Sequence, residues 1–193
     1  MMQHHGVPTR LLDWTASFGC ALYFALRHQS SESRGVENAA VYMLIAEELN
    51  QISIKKPGIL FLEGTFREDQ AVDTSYYHPT VMRDHVVQTV SVSPVLDNER
   101  MVAQQCRFLL CGDSFDSLED QFGGELIKAG ILEKLVLAPE IFEQCRDFLT
   151  QAGIREYGLF PDLDGLARQI MIHRRTRIEL AKLTIKEEGY RFE

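Results

Sequence analysis

Tryptophan occurs once in the 193 residues, and cysteine only four times, so the chain is poor in the thiols whose disulfides staple small secreted folds. Cys20, Cys106, Cys111 and Cys145 show neither C-x-x-C spacing nor a tight framework, which reads as reduced thiols in a core. Long hydrophobic runs are also missing. The longest, Phe18 to Leu26, is interrupted by Gly19, falls far short of a bilayer span, and has no basic segment ahead of it to form a signal peptide. The expected compartment is the cytoplasm, with no membrane partner. Positive charge is scarce too: 20 Lys and Arg stand against 28 Asp and Glu, a net charge of -8 with a pI near 5.3. That balance disfavours generic nucleic-acid binding, which needs a clustered excess of cations. No G-x-G-x-x-G, Walker loop, internal repeat or low-complexity segment is visible.

What is present suits an ordinary globular domain, with 45% hydrophobic and 25% charged residues. The length fits one domain spanning 1–193. Apolar residues at helical spacing predict a buried helix over Ala16–His28, with Asp13 or Thr15 as its cap. Ala39–Ile45 reads as a central strand, Glu47–Gln51 as a short helix, and Ile59–Leu62, Val86–Val92 and Cys106–Leu110 as further strands, Pro94 ending the second of these. A weaker helix over Asp116–Ala129 is broken at Gly123-Gly124, and Lys134–Leu137 is a short strand. Pro139 opens a helix ending near Gly153, and Asp162 caps another carrying Leu163, Leu166, Ala167, Ile170 and Met171 on one face. Strands and helices alternate loosely, which favours an α+β fold: a mixed, mainly antiparallel small sheet with flanking helices.

The densest polar stretch runs from Gln3 to Thr15. Gly6 allows close backbone approach to a ligand, Pro8 stiffens the turn, and Arg10 with Asp13 suits a charge-assisted pair. Asp13 is expected at a helix N-terminus, where backbone N–H groups attract anions. His4, His5, Gly6, Thr9, Arg10, Asp13, Trp14 and Thr15 are therefore the candidate ligand-binding residues. The competing structural reading makes Asp13 a helix cap, Arg10 its partner and Trp14 core. Adjacent histidines in an extended segment point to opposite faces and lack a third ligand at metal spacing, so no metal site is assigned. Nothing near Ser17 or Cys20 supplies the base that a nucleophile needs.

A second polar cluster places Arg100 and Gln104 one helical turn apart on a short helix before a strand. A third segment, His173 to Arg177, is basic and reads as a solvated helix end that complements the macrodipole.

Gln3-His4-His5-Gly6-Val7-Pro8-Thr9-Arg10-Leu11-Leu12-Asp13-Trp14-Thr15, followed by Ala21-Leu22-Tyr23-Phe24-Ala25, closely resembles the hallmark of the FRG domain, a prokaryotic and phage domain named for a Phe-Arg-Gly motif. Arg100, Gln104 and Phe108 resemble its R-x-x-x-Q-x-x-x-F element. Phe160-Pro161-Asp162-Leu163-Asp164-Gly165-Leu166 resembles its F-P-x-L-D-G-L element. The resemblance extends from Gln3 to about Ile172. The naming motif normally lies upstream of the histidines, so the expectation is a domain truncated at its N-terminus, and Cys106 replaces a glycine common in the family.

The order of parts further resembles ADP-ribosyltransferase-like domains, which implies NAD as a substrate, Thr9 or Thr15 walling its nicotinamide, and Arg100 and Gln104 as catalytic residues. A Gln cannot act as a carboxylate base, so a weaker NAD-consuming or purely binding role follows. Three readings result: an NAD-dependent effector of phage or defence systems, a non-catalytic module binding a small nucleotide ligand or a protein target, and a motif that is only a fold-defining knot.

Overall fold

The computed structural model describes residues 9–27, 29, 38–56, 58–61 and 86–188, and within them the chain is a mixed α+β fold. Two small sheets are present among these residues. Strands β1 (Leu11–Thr15), β3 (Leu60–Phe61), β4 (Val90–Ser93) and β5 (Cys106–Leu110) form one, in the order β1-β5-β4-β3, antiparallel except for the β3–β4 pair. Strands β2 (Ala39–Leu44) and β6 (Leu132–Leu137) form the other, antiparallel from Ala39↔Leu137 to Leu44↔Leu132. The helices are α1 (Phe18–Leu26), α2 (Ala46–Ile54), α3 (Glu99–Ala103), α4 (Glu125–Lys128), α5 (Phe142–Gln151), α6 (Glu156–Leu159) and α7 (Leu163–Glu188).

Four expectations need correction. The Ala39 segment is not central: it lies in the two-stranded sheet, where Val136 of its partner strand is 51% exposed. The segment beginning at Val86 becomes a strand only at Val90, because Val87 is committed to the loop at Asp113, whose N–H donates to the Val87 carbonyl at 2.9 Å. Asp13 is not a helix cap. It sits inside β1 opposite Phe108, and α1 starts only after Ser17, which keeps an extended backbone and accepts a hydrogen bond from the Cys20 N–H at 3.3 Å. The segment from His173 lies inside α7 rather than at its end, so macrodipole complementation does not account for it.

The side-chain period of two explains how β1 divides its neighbours. Leu12 and Trp14 share a face with Leu109, and Trp14 packs on a cluster of Leu49, Leu109, Leu126, Ile131 and Leu132 that joins the two sheets. Leu11, on the opposite face, meets Leu110, Val90 and Val92. A separate cluster holds Leu22 and Leu26 of α1 against Val41, Leu137, Phe142 and Leu149. Asn50, fully buried on α2, stands in for a missing stretch of strand. Its Nδ2 donates to the Ser91 and Gly58 carbonyls at 3.0 and 2.7 Å, and its Oδ1 accepts from the Ser91 N–H at 2.7 Å. One glycine is dictated by close packing. A Cβ on Gly165 would lie 1.9 Å from the Phe160 carbonyl oxygen, so the first turn of α7 folds tightly over Phe160 only without a side chain there.

Candidate functional site

Three segments far apart in sequence meet at the ring of Phe160, which is 2% exposed. From α1, Phe24 contacts it edge-on with ring centroids 6.0 Å apart, and the Arg27 guanidinium lies 4.7 Å from its centroid. From α3, the Arg100 guanidinium lies over the ring at the same distance, and from α7 Arg168 lies at 5.2 Å. Three cations on one aromatic ring would repel one another, although each is attracted to its quadrupole. The compensating anion is Glu156, 5% exposed, whose Oε1 accepts from Arg27 at 3.3 Å and from Arg168 at 2.5 Å.

The end of β1 is fastened to the same place. Thr15 Oγ1 donates to the Gln104 carbonyl at 2.6 Å and accepts from the Ser17 N–H at 3.0 Å, while the Ala16 N–H donates to the Gln105 carbonyl at 3.0 Å. These contacts hold Gln105 at φ +48°, a left-handed conformation that a residue with a side chain adopts only under such constraint. The Gln104 side chain is itself buried: its Nε2 donates to the Leu159 carbonyl at 3.0 Å, and its Oε1 lies 4.0 Å from the Cys106 sulfur. Arg100, Gln104 and Thr15 are thus brought together, with the carbonyls and ring of α6 and its exit as their partners.

The rest of the polar stretch points elsewhere. Arg10 does not pair with Asp13. Three residues apart along extended chain they face opposite ways, and the Arg10 Nη2 donates instead to Asp113 Oδ1 at 3.0 Å. Asp113 Oδ2 accepts from the Val87 N–H at 2.9 Å, so this pair clamps the ends of β1 and β5 to the entry of β4. Thr9 is exposed, and among the described residues its hydroxyl engages its own turn, at 3.4 Å from the Leu11 N–H. Trp14 is half-buried core, with its indole N–H buried and unpartnered among the described residues. His4, His5 and Gly6 lie outside the described residues. Sequence reasoning missed Arg27, Asp113, Glu156 and Arg168; each is a lone charged residue without a motif, and only the chain's return brings them to partners.

Cys20 and Cys106 lie beside Thr15 and Gln104, but their thiols are held protonated. Burial raises the Cys20 pKa, partly offset by a hydrogen bond with Thr15; burial, then Asp13 and Cys20, raise that of Cys106. Neither is an activated nucleophile at neutral pH. The same shift makes stability pH-dependent. An unfolded thiol ionises near its ordinary value of 9.0 and the folded one above it, so this contribution is intact below about pH 9 and disappears as pH rises through the folded value. Melting temperature should fall between about pH 8 and about pH 10, less steeply in Cys20→Ala, and an identical slope in both proteins would refute the assignment.

Among the described residues no group of three or more His, Cys, Asp or Glu is placed to hold a metal ion, and no helix is long and apolar enough to cross a membrane. The sequence model of the FRG domain matches residues 1–34. No curated protein and no solved structure matches the chain.

Proposed function

We propose, from the FRG-domain match over residues 1–34, that the whole chain is one such domain acting as a non-catalytic ligand-binding module, a sensing part of a phage or defence system. One observation carries this reading: Gln104, the residue a transferase would use to orient a reacting ribose, is 9% exposed and its amide is committed to the Leu159 carbonyl. Thr15 is equally committed, to the Gln104 carbonyl and the Ser17 N–H. A hydrogen bond made inside the fold is not available to a substrate without being broken first. Gln104 is therefore a positioning residue, and it joins α3 to α6.

The test is Gln104→Glu, which restores the carboxylate that NAD-consuming transferases use. In the binding-module reading the variant releases no nicotinamide from NAD, like the parent chain. Its melting temperature falls by roughly 6 °C, because a donor is replaced by a carboxylate facing the Leu159 carbonyl, a loss of about 2 kcal/mol. Nicotinamide release by the variant at an undiminished melting temperature would overturn the reading and support an enzyme that consumes NAD.

A further inference from the structure

We propose that the cleft between α1, α5 and α7 is a nucleotide site, its arginines taking the phosphates and its apolar floor the nucleoside. This rests on the ligand-binding reading above and supplies its site and ligand class. The cleft has a volume of about 1040 Å³, enough for a mononucleotide. Among the described residues five arginines line it, Arg27, Arg146, Arg155, Arg168 and Arg177, against one carboxylate, Glu156.

Such an excess is set against the composition of the whole chain, which carries a net charge of -8. Glu156 engages Arg27 and Arg168, while Arg146 is held by Glu143 and the Gln29 carbonyl. Arg155 and Arg177 make no ion pair with the described residues. Gathering guanidiniums without matching carboxylates destabilises the free protein, and an anion that spans them relieves the repulsion. The strain already registers at Arg27, whose pKa is lowered first by burial and then by Arg168. The planar guanidinium fork matches phosphate oxygens in pairs.

The floor decides the rest of the ligand. Leu26 and Leu149 are buried beneath the cleft, and Met171 and Ile172 of α7 stand at its side, 51% and 53% exposed. A bare polyphosphate leaves the exposed Met171 and Ile172 untouched; a nucleoside covers them. The size of the cleft and the acidic remainder of the chain favour a small ligand over a nucleic acid.

The cleft is also the far side of the Phe160 assembly. Arg27, Glu156 and Arg168 belong to both. Arg100 and Gln104 thus set the position of the cleft wall without touching the ligand.

Calorimetric titration of the 193-residue chain with ATP, tripolyphosphate and adenosine tests this. ATP is expected to bind, tripolyphosphate at least several-fold more weakly, and adenosine not measurably. The double variant Arg155→Ala/Arg177→Ala, altering exposed side chains and relieving part of the repulsion, should melt no lower than the parent and bind ATP at least tenfold more weakly. Absence of ATP binding would overturn the proposal. So would tripolyphosphate binding equal to ATP, which would mean a bare anion site. ATP affinity unchanged in the double variant would overturn the cleft and leave the binding-module reading standing. Nicotinamide release from NAD would sink that reading without touching the cleft.

Discussion

Glu156→Gln is expected to lower the stability of the chain by about 3 kcal/mol, because it keeps the shape of the side chain and removes only its charge. The carboxylate is 5% exposed and is the anion that both Arg27 and Arg168 reach. Without it, three guanidiniums remain within 4.7 to 5.2 Å of the Phe160 ring centroid with less negative charge to offset their repulsion. Breaking a buried ion pair by neutralising one partner costs about 3–5 kcal/mol, and the lower end applies here because the Arg168 side chain is 42% exposed and partly solvated. Urea unfolding would show a midpoint lower by roughly 1.5 M at unchanged slope, and a smaller loss at high salt as the guanidiniums are screened. A loss below about 1 kcal/mol would mean that water already solvates the arginines and that Glu156 does not hold the assembly together.

Asn50→Leu is expected to cost about 4 kcal/mol, although leucine is close in volume and the site is fully enclosed. The amide satisfies three backbone groups: the Ser91 N–H, the Ser91 carbonyl and the Gly58 carbonyl. β3 begins pairing with β4 only at Leu60↔Val92, so the N–H and C=O of Ser91 have no strand neighbour on that side. Leucine leaves them buried without partners, at about 1–3 kcal/mol for each group. Because volume is preserved, the loss reports hydrogen bonding rather than a cavity. Asn50→Ala should then cost less than the leucine variant if water enters to replace the amide. Equal stability of Asn50→Leu and the parent, measured by urea unfolding, would show that the edge of β4 does not depend on this residue.

Much of the framework was legible from local pattern. Pro139, Asp162 and the spacing of Leu163, Leu166 and Ala167 mark helices whose starts are set within a few residues by caps and fixed φ, and the structure begins α7 at Leu163 with Asp162 accepting from the Gly165 N–H at 2.6 Å. The β-branched content of Val90 to Val92 and the stop at Pro94 locate β4. Asp13 was misplaced for a physical reason. Asp, Thr and Ser all cap helices, and Asp13, Thr15 and Ser17 stand in alternation before α1, so the choice falls to whichever residue the neighbouring strand leaves free. Pairing of Leu11–Thr15 with β5 takes two of the three, and Ser17 remains.

Arg10 shows the same limit: its sequence neighbour Asp13 is an obvious partner, yet extended backbone turns the two apart and Asp113 arrives from a distant loop. The cleft is the extreme case. Arg27, Arg146, Arg155, Arg168 and Arg177 are unremarkable singly along an acidic chain, since charge in a sequence is averaged over its length while electrostatic potential depends on distance in space.

By itself the sequence determined the α+β class, the starts of α1, α2 and α7 to within about two residues, the FRG signature and the placing of Arg100 and Gln104 one turn apart at a short helix, because each depends on residues within a turn or two of one another. Only the tertiary structure decided that Gln104 serves the Leu159 carbonyl, that Glu156 neutralises Arg27 and Arg168, and that five arginines share one cleft. Those facts depend on which distant segments meet once the core is buried, a choice made by packing over the whole chain rather than by any local pattern.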